Sequence, residues 1–347
     1  MEENKIKKMK TWYNENEYIL DRMATKIKNL IEEILEYENI PYVNVMSIKK
    51  DLESLCNKAN NPKYDDPINQ IKDFISVRIV AYVESDVKKI SDIIKDSFYI
   101  DENYNIDKSE DLSSDKFGYR SVNYAAKLNE KRNDLQEYRR FENFYFEVQI
   151  RTLLHHTWSE IENDRNYKFS GSLPDEIKRK FSLIAGTLEL MDNQFDTIAK
   201  ELDNYKEDIN DKAKKGEIKD IAINGTSLKA YLVNKFSDKI GNLISPEFGK
   251  LDSGEEEIIN ELHEFGISDL EKLDNLINNH INKDIFTDNE NLLSILRAFM
   301  IVENPEKYFK DSWKNYWQGY SKKGVNKLEK YNPDIVDIML SNQIDML

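Results

Sequence analysis

Hydrophobic and polar positions follow different periods along this chain, and the change of period divides it. In residues 1–40 apolar side chains recur at helical spacing, which predicts an amphipathic helix that ends before Pro41. From Ile71 to Val83 the apolar residues are largely β-branched and almost continuous, which predicts a buried strand. Between Phe146 and Arg151 apolar and polar residues alternate strictly, which predicts a strand with one polar face. Strand patterns occur only in this middle part of the chain.

A very regular helical pattern follows Gly171. Its apolar positions alternate steps of four and three residues without a break, at Ile177, Phe181, Ile184, Leu188, Met191, Phe195, Ile198, Leu202, Tyr205 and Ile209. This heptad seam is typical of a helix that packs against another helix. Two interpretations are open at this point: a long helix packed against the body of the protein, and a coiled-coil dimer.

Together these patterns predict an α+β fold, with a mixed β-sheet flanked by helices and an all-helical C-terminal region. The predicted divisions are an N-terminal helical segment at 1–44, an α/β domain at 45–170, a long heptad-patterned helix at 171–215 and a helical domain at 216–347.

The composition excludes several kinds of protein. Hydrophobic residues make up 39% and charged residues 33% of the 347 residues, so a packed core is feasible. The net charge of -15 argues against a protein that coats nucleic acid or an anionic membrane. The single cysteine, Cys56, excludes an intramolecular disulfide. Because there is no run of about 18 apolar residues and no apolar signal core, we expect a cytoplasmic protein without a membrane partner.

Four short stretches of the α/β part carry residues suited to chemistry. They contribute Asp73 and Arg78; Tyr119, Ser121 and Asn123; Glu147, Gln149 and Arg151; and Trp158 and Glu162. On the helix after the last strand, we expect Trp158 on an apolar stripe with Leu154 and Ile161. Glu162 lies on a polar stripe with His155 and Ser159. Taken singly, each residue is more typical of packing or capping. Together they offer acids for a divalent metal, arginines for phosphates and an aromatic ring for a base.

The stretches DFISVRIVAYVESDV, FGYRSVNY and FEVQIRTLLHHTWSEIENDRNYK resemble, in order and separation, the motifs of the RelA/SpoT synthetase domain. The resemblance covers roughly residues 45–170 and does not extend to the helical C-terminal half. It implies a nucleotidyltransferase-like fold and a magnesium-dependent transfer of pyrophosphate from ATP to the 3′-hydroxyl of GDP or GTP, which makes (p)ppGpp. An in-line transfer of this kind needs positioning, metal and cations more than a covalent nucleophile.

The resemblance also implies a role for each matching residue. Asp73 and Glu147 are the expected catalytic residues and Mg²⁺ ligands, and Tyr119 is expected to stack on the acceptor base. The remaining expectations are Asn123, Gln149 and Arg151 for the acceptor nucleotide; Arg78, Lys49 and Lys50 for donor phosphates; and Ser121, Trp158, Glu162 and Lys168 as supporting residues.

The chain departs from the family pattern at three points. Asn123 and Asn163 stand where the family usually has histidine. In IPYVNVMSIKKD no basic residue precedes Ser47, where the family carries its donor-binding cations, so Lys49 and Lys50 are the candidates nearby. The family's hydrolase domain has a metal-binding His-Asp pair, and none of the 4 histidines here is followed by Asp. We therefore expect no hydrolase activity.

Two alternatives remain beside the guanosine acceptor. The basic run in KLNEKRNDLQEYRR could bind RNA, which would make the 3′ end of tRNA the acceptor and the protein a translation-blocking toxin. An acid-rich solvated helix face explains the same run equally well. The sparse donor motif and the heptad seam also fit a catalytically weak sensor or scaffold, which would form a homo-oligomer or bind a protein partner through its C-terminal helices.

Overall fold

The computed structural model of the chain describes residues 2–102, 106–107, 121–168, 174–237, 254–282, 292–313 and 319–346. It divides into two compact units, Met1–Lys200 and Glu201–Leu347. No helix in these ranges is long and apolar enough to span a membrane. The cytoplasmic location stays a prediction.

The first unit is a mixed sheet flanked by helices, as the sequence predicts. Its strands are β1 (Asn44–Lys49), β2 (Ile75–Ala81), β3 (Phe98–Ile100), β4 (Ile106–Asp107), β5 (Val122–Leu128) and β6 (Phe146–Thr152). Its helices are α1 (Glu2–Tyr37), α2 (Leu52–Ala59), α3 (Pro67–Gln70), α4 (Glu84–Ser97), α5 (Glu130–Asn133), a 3₁₀ turn at Arg139–Phe141, α6 (Leu153–Lys168) and the start of α7 (Asp175–Lys215).

The strand order is β1-β2-β6-β5-β3, and β4 also pairs with β5. Only β2 and β6 are parallel within this sheet; the other pairs are antiparallel. The two parallel strands end together, because Ala81 is the partner of Thr152. Each leads into a helix, so the N-termini of α4 and α6 lie at the same edge of the sheet.

One face of the sheet forms the core. Val77 and Ile79 of β2, and Val148 and Ile150 of β6, are fully buried in one cluster with side chains from α1 and α4. Fully burying a side chain of this size contributes about 1.5–3 kcal/mol, which fixes the strand register. The alternate positions therefore place their polar side chains on the opposite face.

Helix α7 packs within the first unit through residues that the heptad seam does not include. Ala185 and Asp192 are buried, at 4% and 3% exposure. The seam residues Ile184, Met191 and Phe195 are between 48% and 53% exposed. The seam is therefore not the face by which α7 contacts the described residues of this unit.

The second unit is helical around its own core. Beyond the end of α7 it contains α8 (Gly225–Lys235), α9 (Glu255–Glu264), α10 (Leu270–His280), α11 (Leu292–Glu303), α12 (Pro305–Lys307), a π-helical turn at Tyr308–Ser312, α13 (Lys322–Glu329), α14 (Ile335–Ser341) and a parallel strand pair, β7 (Gly319–Tyr320) with β8 (Asp345–Met346). The fully buried Glu261 accepts hydrogen bonds from Arg297 (Nη2 at 2.7 Å) and from the Tyr308 hydroxyl (2.6 Å).

Candidate active site

The polar face of the sheet is ordered as cross-strand rows. Glu147 of β6 is the partner of Ser76 on β2 and of Ala125 on β5. Gln149, two residues on, is the partner of Arg78 and of Asn123 in the same way. The alternation read from the sequence therefore places the predicted acid and amide next to residues from both neighbouring strands, and the predicted guanidinium of Arg151 next to Val80 of β2.

Hydrogen bonds connect these rows and orient Glu147. The Ser76 hydroxyl and the Gln149 amide both donate to Glu147 Oε2, at 2.8 and 2.9 Å. Gln149 Oε1 in turn accepts from Arg151 Nη2 at 2.5 Å and from Arg78 Nε at 3.3 Å. Both bonds to Glu147 use the same oxygen, which leaves Oε1 as the atom to meet a metal or a substrate hydroxyl.

Asp73 lies just before β2, which begins at Ile75. The alternation of side chains along β2 determines the face on which Arg78 lies, but it does not apply to Asp73. The side chain is buried at 4% exposure, and its Oδ2 binds the ammonium groups of Lys50 and Lys58, the latter at 2.5 Å. Burial alone would raise the pKa of Asp73, but the two lysines outweigh it and hold that pKa below its usual range. Asp73 is therefore ionised at neutral pH.

Lys58 couples the two acids. Burial would lower the pKa of Lys58, but its hydrogen bond to Asp73 and the charges of Asp73 and Glu147 raise it. Because the Lys58 ammonium is influenced by both carboxylates, Asp73 and Glu147 belong to one electrostatic site.

The residues at this site fit a magnesium ion. Asp73 Oδ1 is buried and has no hydrogen-bond partner, although an ionised carboxylate oxygen in such surroundings normally has one. Mg²⁺ is commonly held by one or two carboxylates together with substrate phosphates and water. Among the described residues no group of three or more His, Cys, Asp or Glu side chains forms a complete protein cage. Asp73 Oδ1 and Glu147 Oε1 are thus the candidate ligands.

Cations line the rest of the polar face. Arg78 forms an ion pair with Glu160 of α6, and His156 lies nearby, with Nδ1 3.9 Å from Glu160 Oε1. Burial, and the charges of Arg151 and Arg78, lower the pKa of His156, so its imidazole is neutral at neutral pH. The guanidinium groups therefore supply the positive charge here, and phosphate oxygens are the ligands that they bind best.

The structure does not bring every predicted residue to this face. Lys49 lies on the core side of β1, where its ammonium is 2.9 Å from both Glu17 and Asp21 of α1. Ser121, 3% exposed, donates a hydrogen bond to Asn123 Oδ1 at 3.3 Å. Tyr119 and the side chain of Lys168 lie outside the described residues.

On α6 the predicted stripes differ from the observed packing. Ile161, expected on an apolar stripe with Trp158, is 51% exposed, whereas His155 and Ser159 of the expected polar stripe are buried. The reason is that α7 supplies a polar contact: Asp192 lies 3.4 Å from His155 Nδ1. Burial raises the pKa of the Glu162 carboxyl on the same helix.

A cavity of about 650 Å³ lies at the β5–β3 side of the sheet. Tyr99 of β3 is the partner of Lys127 on β5, and both line this cavity together with Tyr145, two residues before Glu147. The Lys127 ammonium lies 4.2 Å from the centre of the Tyr145 ring. Because residues two apart on a strand are separated by about 7 Å, a nucleotide that reaches Glu147 can extend into this space.

Comparison with known proteins gives this site its context. Residues 48–172 match a family described as "Region found in RelA / SpoT proteins". The chain is similar to RelA/SpoT proteins over this region. Two relatives from Bacillus subtilis are named GTP pyrophosphokinase: YjbM is 24% identical over 190 residues, 53% of this chain and 84% of the relative. YwaC is 25% identical over 205 residues, 56% of this chain and 93% of the relative.

Solved structures resemble the same part of the chain. The small alarmone synthetase 1 of Bacillus subtilis is 22% identical with a TM-score of 0.48, covering 56% of this chain and 98% of that one. A GTP pyrophosphokinase family protein from Streptococcus pneumoniae has a TM-score of 0.46 at 22% identity, covering 56% of this chain and 95% of that one.

Sequence reasoning missed several polar residues of the matched region. Ser76 could have been found, because it has the same strand parity as Arg78 and therefore lies on the polar face. Lys58 and Glu160 lie on helices, and their contacts with Asp73 and Arg78 depend on how those helices pack against the sheet. No local pattern in the sequence reports that packing.

Proposed function

We propose that the RelA/SpoT region is a pyrophosphokinase that transfers the β,γ-pyrophosphoryl group of ATP to the 3′-hydroxyl of GDP or GTP. The observation that carries the proposal is the hydrogen-bonded row in which Arg151 and Arg78 hold Gln149 and Gln149 holds Glu147. Asp73, bound by Lys50 and Lys58, lies just before the neighbouring strand β2. The names of the two relatives support the choice of reaction. The absence of a His-Asp sequence supports a transferase without hydrolase activity.

In this reaction the 3′-oxygen of the acceptor forms a bond to the β-phosphorus of ATP, and the bond from that phosphorus to the α,β-bridging oxygen breaks. AMP leaves with the bridging oxygen, and the hydroxyl proton passes to a base. Glu147 is that base: Ser76 and Gln149 hold Oε2, which presents Oε1 to the hydroxyl. Asp73 and Glu147 would hold the Mg²⁺ ion, which neutralises charge on the transferred phosphates.

The donor phosphates meet Lys50 and Lys58 in this proposal. Both lysines form ion pairs with Asp73, and a metal ion at Asp73 would take over the neutralisation of its charge. Their ammonium groups are then available to the phosphate oxygens of ATP. This assignment gives the donor its cations although no basic residue precedes Ser47 within the stretch IPYVNVMSIKKD. It excludes Lys49, which faces α1.

The test is a transfer assay with the full chain, Mg²⁺ and ATP labelled at the β-phosphate, offering GDP, GTP and bulk tRNA in parallel. We expect label on a guanosine nucleotide, one AMP per transfer, and loss of transfer when EDTA removes the metal. Label on tRNA instead would make tRNA the acceptor, which is the alternative that the exposed Lys131, Arg139 and Arg140 suggest. No transfer to any acceptor by a folded protein would overturn the proposal in favour of a sensor or scaffold.

A further inference from the structure

Helix α7 crosses the sheet edge at which the two parallel strands end. Its residues through Lys200 belong to the first unit, although the RelA/SpoT match ends at residue 172. Two acids one helical turn apart, Asp192 and Asp196, contact the first turns of α6 and α4 respectively. A helix N-terminus has unpaired N–H groups and a partial positive charge, so a carboxylate stabilises it.

Asp192 acts on α6 through Thr152. The Thr152 hydroxyl accepts a hydrogen bond from the His155 backbone N–H at 3.2 Å, as an N-cap residue does. The same hydroxyl donates to Asp192 Oδ2 at 2.6 Å, and both side chains are buried. Asp192 therefore fixes the orientation of the hydroxyl that caps α6.

Asp196 provides a capping hydrogen bond to the N-terminus of α4, which its own N-cap residue does not make. The N-cap residue of α4 is Val83, whose side chain makes no capping hydrogen bond. The Ser85 backbone N–H donates instead to Asp196 Oδ1 at 2.8 Å. The Asp196 carboxylate is also paired with Lys200 of its own helix at 2.6 Å.

Thr152 is the last residue of β6 and directly follows Arg151. Arg151 donates to Gln149, and Gln149 donates to Glu147, so the side chains that orient Glu147 form a line that ends next to the α7 contact. A shift of the β6 end by a fraction of an ångström changes this line, because the Arg151 and Gln149 bonds are short and directional.

We propose that Asp192 and Asp196 are positioning residues of the transfer reaction: from outside the matched region, they hold the ends of β6 and β2 so that Glu147 and Arg78 keep their relative placement. This inference rests on the proposed function. It makes the first part of α7 a component of the catalytic unit rather than an appended tail.

The experiment uses the full chain with Asp192→Ala, Asp196→Ala and, as a matched control, Asp203→Ala, which removes an exposed acid from the same helix. Losing a buried hydrogen bond to a charged group is expected to lower kcat about tenfold for Asp192→Ala, with KM for ATP unchanged. Asp192→Asn keeps an acceptor oxygen for Thr152 and should restore most of the lost turnover. Rates are normalised to the folded fraction from circular dichroism, which separates positioning from unfolding.

A second readout does not depend on activity. Backbone amide hydrogen exchange should accelerate at residues 152–156 in Asp192→Ala and at residues 84–88 in Asp196→Ala, with β1 unaffected. Unchanged exchange at these segments, or a normalised kcat equal to that of Asp203→Ala, would overturn the proposal. If the wild-type chain transfers to no acceptor, the proposed function fails, and local acceleration of exchange would still identify the two acids as anchors of the sheet edge.

Discussion

At the residue scale, Asp73 illustrates how an acid that we propose to be catalytic also affects stability. Its pKa is lower in the folded protein than the ordinary 3.8, so the folded state favours the ionised form. The stabilisation from Lys50 and Lys58 is fully present above the unfolded pKa and is lost as pH falls through the lower, folded pKa.

We therefore expect Asp73→Asn to abolish transfer and to lower the free energy of unfolding by about 1.5–3 kcal/mol at pH 7, the range for hydrogen bonds to charged groups. The difference between wild type and variant should shrink below the ordinary pKa of 3.8. Urea unfolding at a series of pH values measures this. A difference that does not depend on pH would show that the Lys50 and Lys58 ion pairs do not stabilise the fold.

Glu147 should matter for turnover and little for stability. The amide of Glu147→Gln can still accept from Ser76 but cannot take a proton, and general-base catalysis typically contributes about 10²–10⁴-fold. We expect a loss of that size in kcat, with the urea midpoint unchanged. The exposed Glu137→Gln is the control. Turnover that survives in Glu147→Gln would remove Glu147 as the base.

Lys58 and Lys49 form a natural matched pair. Lys58 contacts Asp73 on the polar side of the site, whereas Lys49 contacts Glu17 and Asp21 on the opposite side of the sheet. Lys58→Ala should weaken binding of a non-hydrolysable ATP analogue about tenfold or more, because a charge-assisted hydrogen bond to phosphate is lost. Lys49→Ala should leave that affinity unchanged. Equal affinities of the two variants, by calorimetry, would rule out the donor assignment.

These residues also show what the sequence could predict. Strict alternation in β6 placed Glu147, Gln149 and Arg151 on one face, because a strand's side chains have a fixed period. Lys49 and Lys50 are adjacent at the end of β1, and choosing between them requires the register of β1 on β2. A one-residue change of register exchanges the faces, so composition alone could not choose.

At the element scale, helix α6 depends on a cap that α7 completes. Thr152→Val keeps the side-chain shape but removes the hydroxyl that caps the His155 N–H and donates to Asp192. Loss of a cap costs about 0.5–2 kcal/mol, and the buried Asp192 also loses its hydrogen bond. We expect Thr152→Val to destabilise the protein measurably and Thr157→Val, an exposed site on the same helix, to have little effect. Equal urea midpoints for the two variants would contradict a capping role.

Helix α7 shows where element-level prediction stops. Its period of four and three predicted a long continuous helix, and the structure has one from Asp175 to Lys215. The same period predicted the apolar seam as the packing face of the helix. The contact with the sheet edge is instead made by Asp192 and Asp196. The sequence around Asp192 and Asp196 does not distinguish them from the solvent-exposed acids of the same helix. Only their contacts with the N-termini of α6 and α4 do so, and those contacts depend on the tertiary structure.

At the scale of the whole molecule, the described residues form two separate hydrophobic cores. One core joins α1 and α4 to the sheet, and the other lies among the helices after residue 220. The sequence predicted an α/β part and a helical part from the change of period. It could not predict how the helical core is held, since the fully buried Glu261 and its partners Arg297 and Tyr308 are far apart in the chain.

Arg297→Ala tests whether the two cores are independent. It leaves the carboxylate of Glu261 buried without its guanidinium partner, and breaking a buried ion pair costs about 3–5 kcal/mol. We expect calorimetry to show a lower-temperature transition for the second unit and an unchanged transition for the first, with transfer activity retained below the first unit's transition. Lys322→Ala, at an exposed position of α13 in the second unit, is the control. A single transition that shifts as a whole in Arg297→Ala would mean that the two cores unfold together, and transfer would then be lost with the second unit.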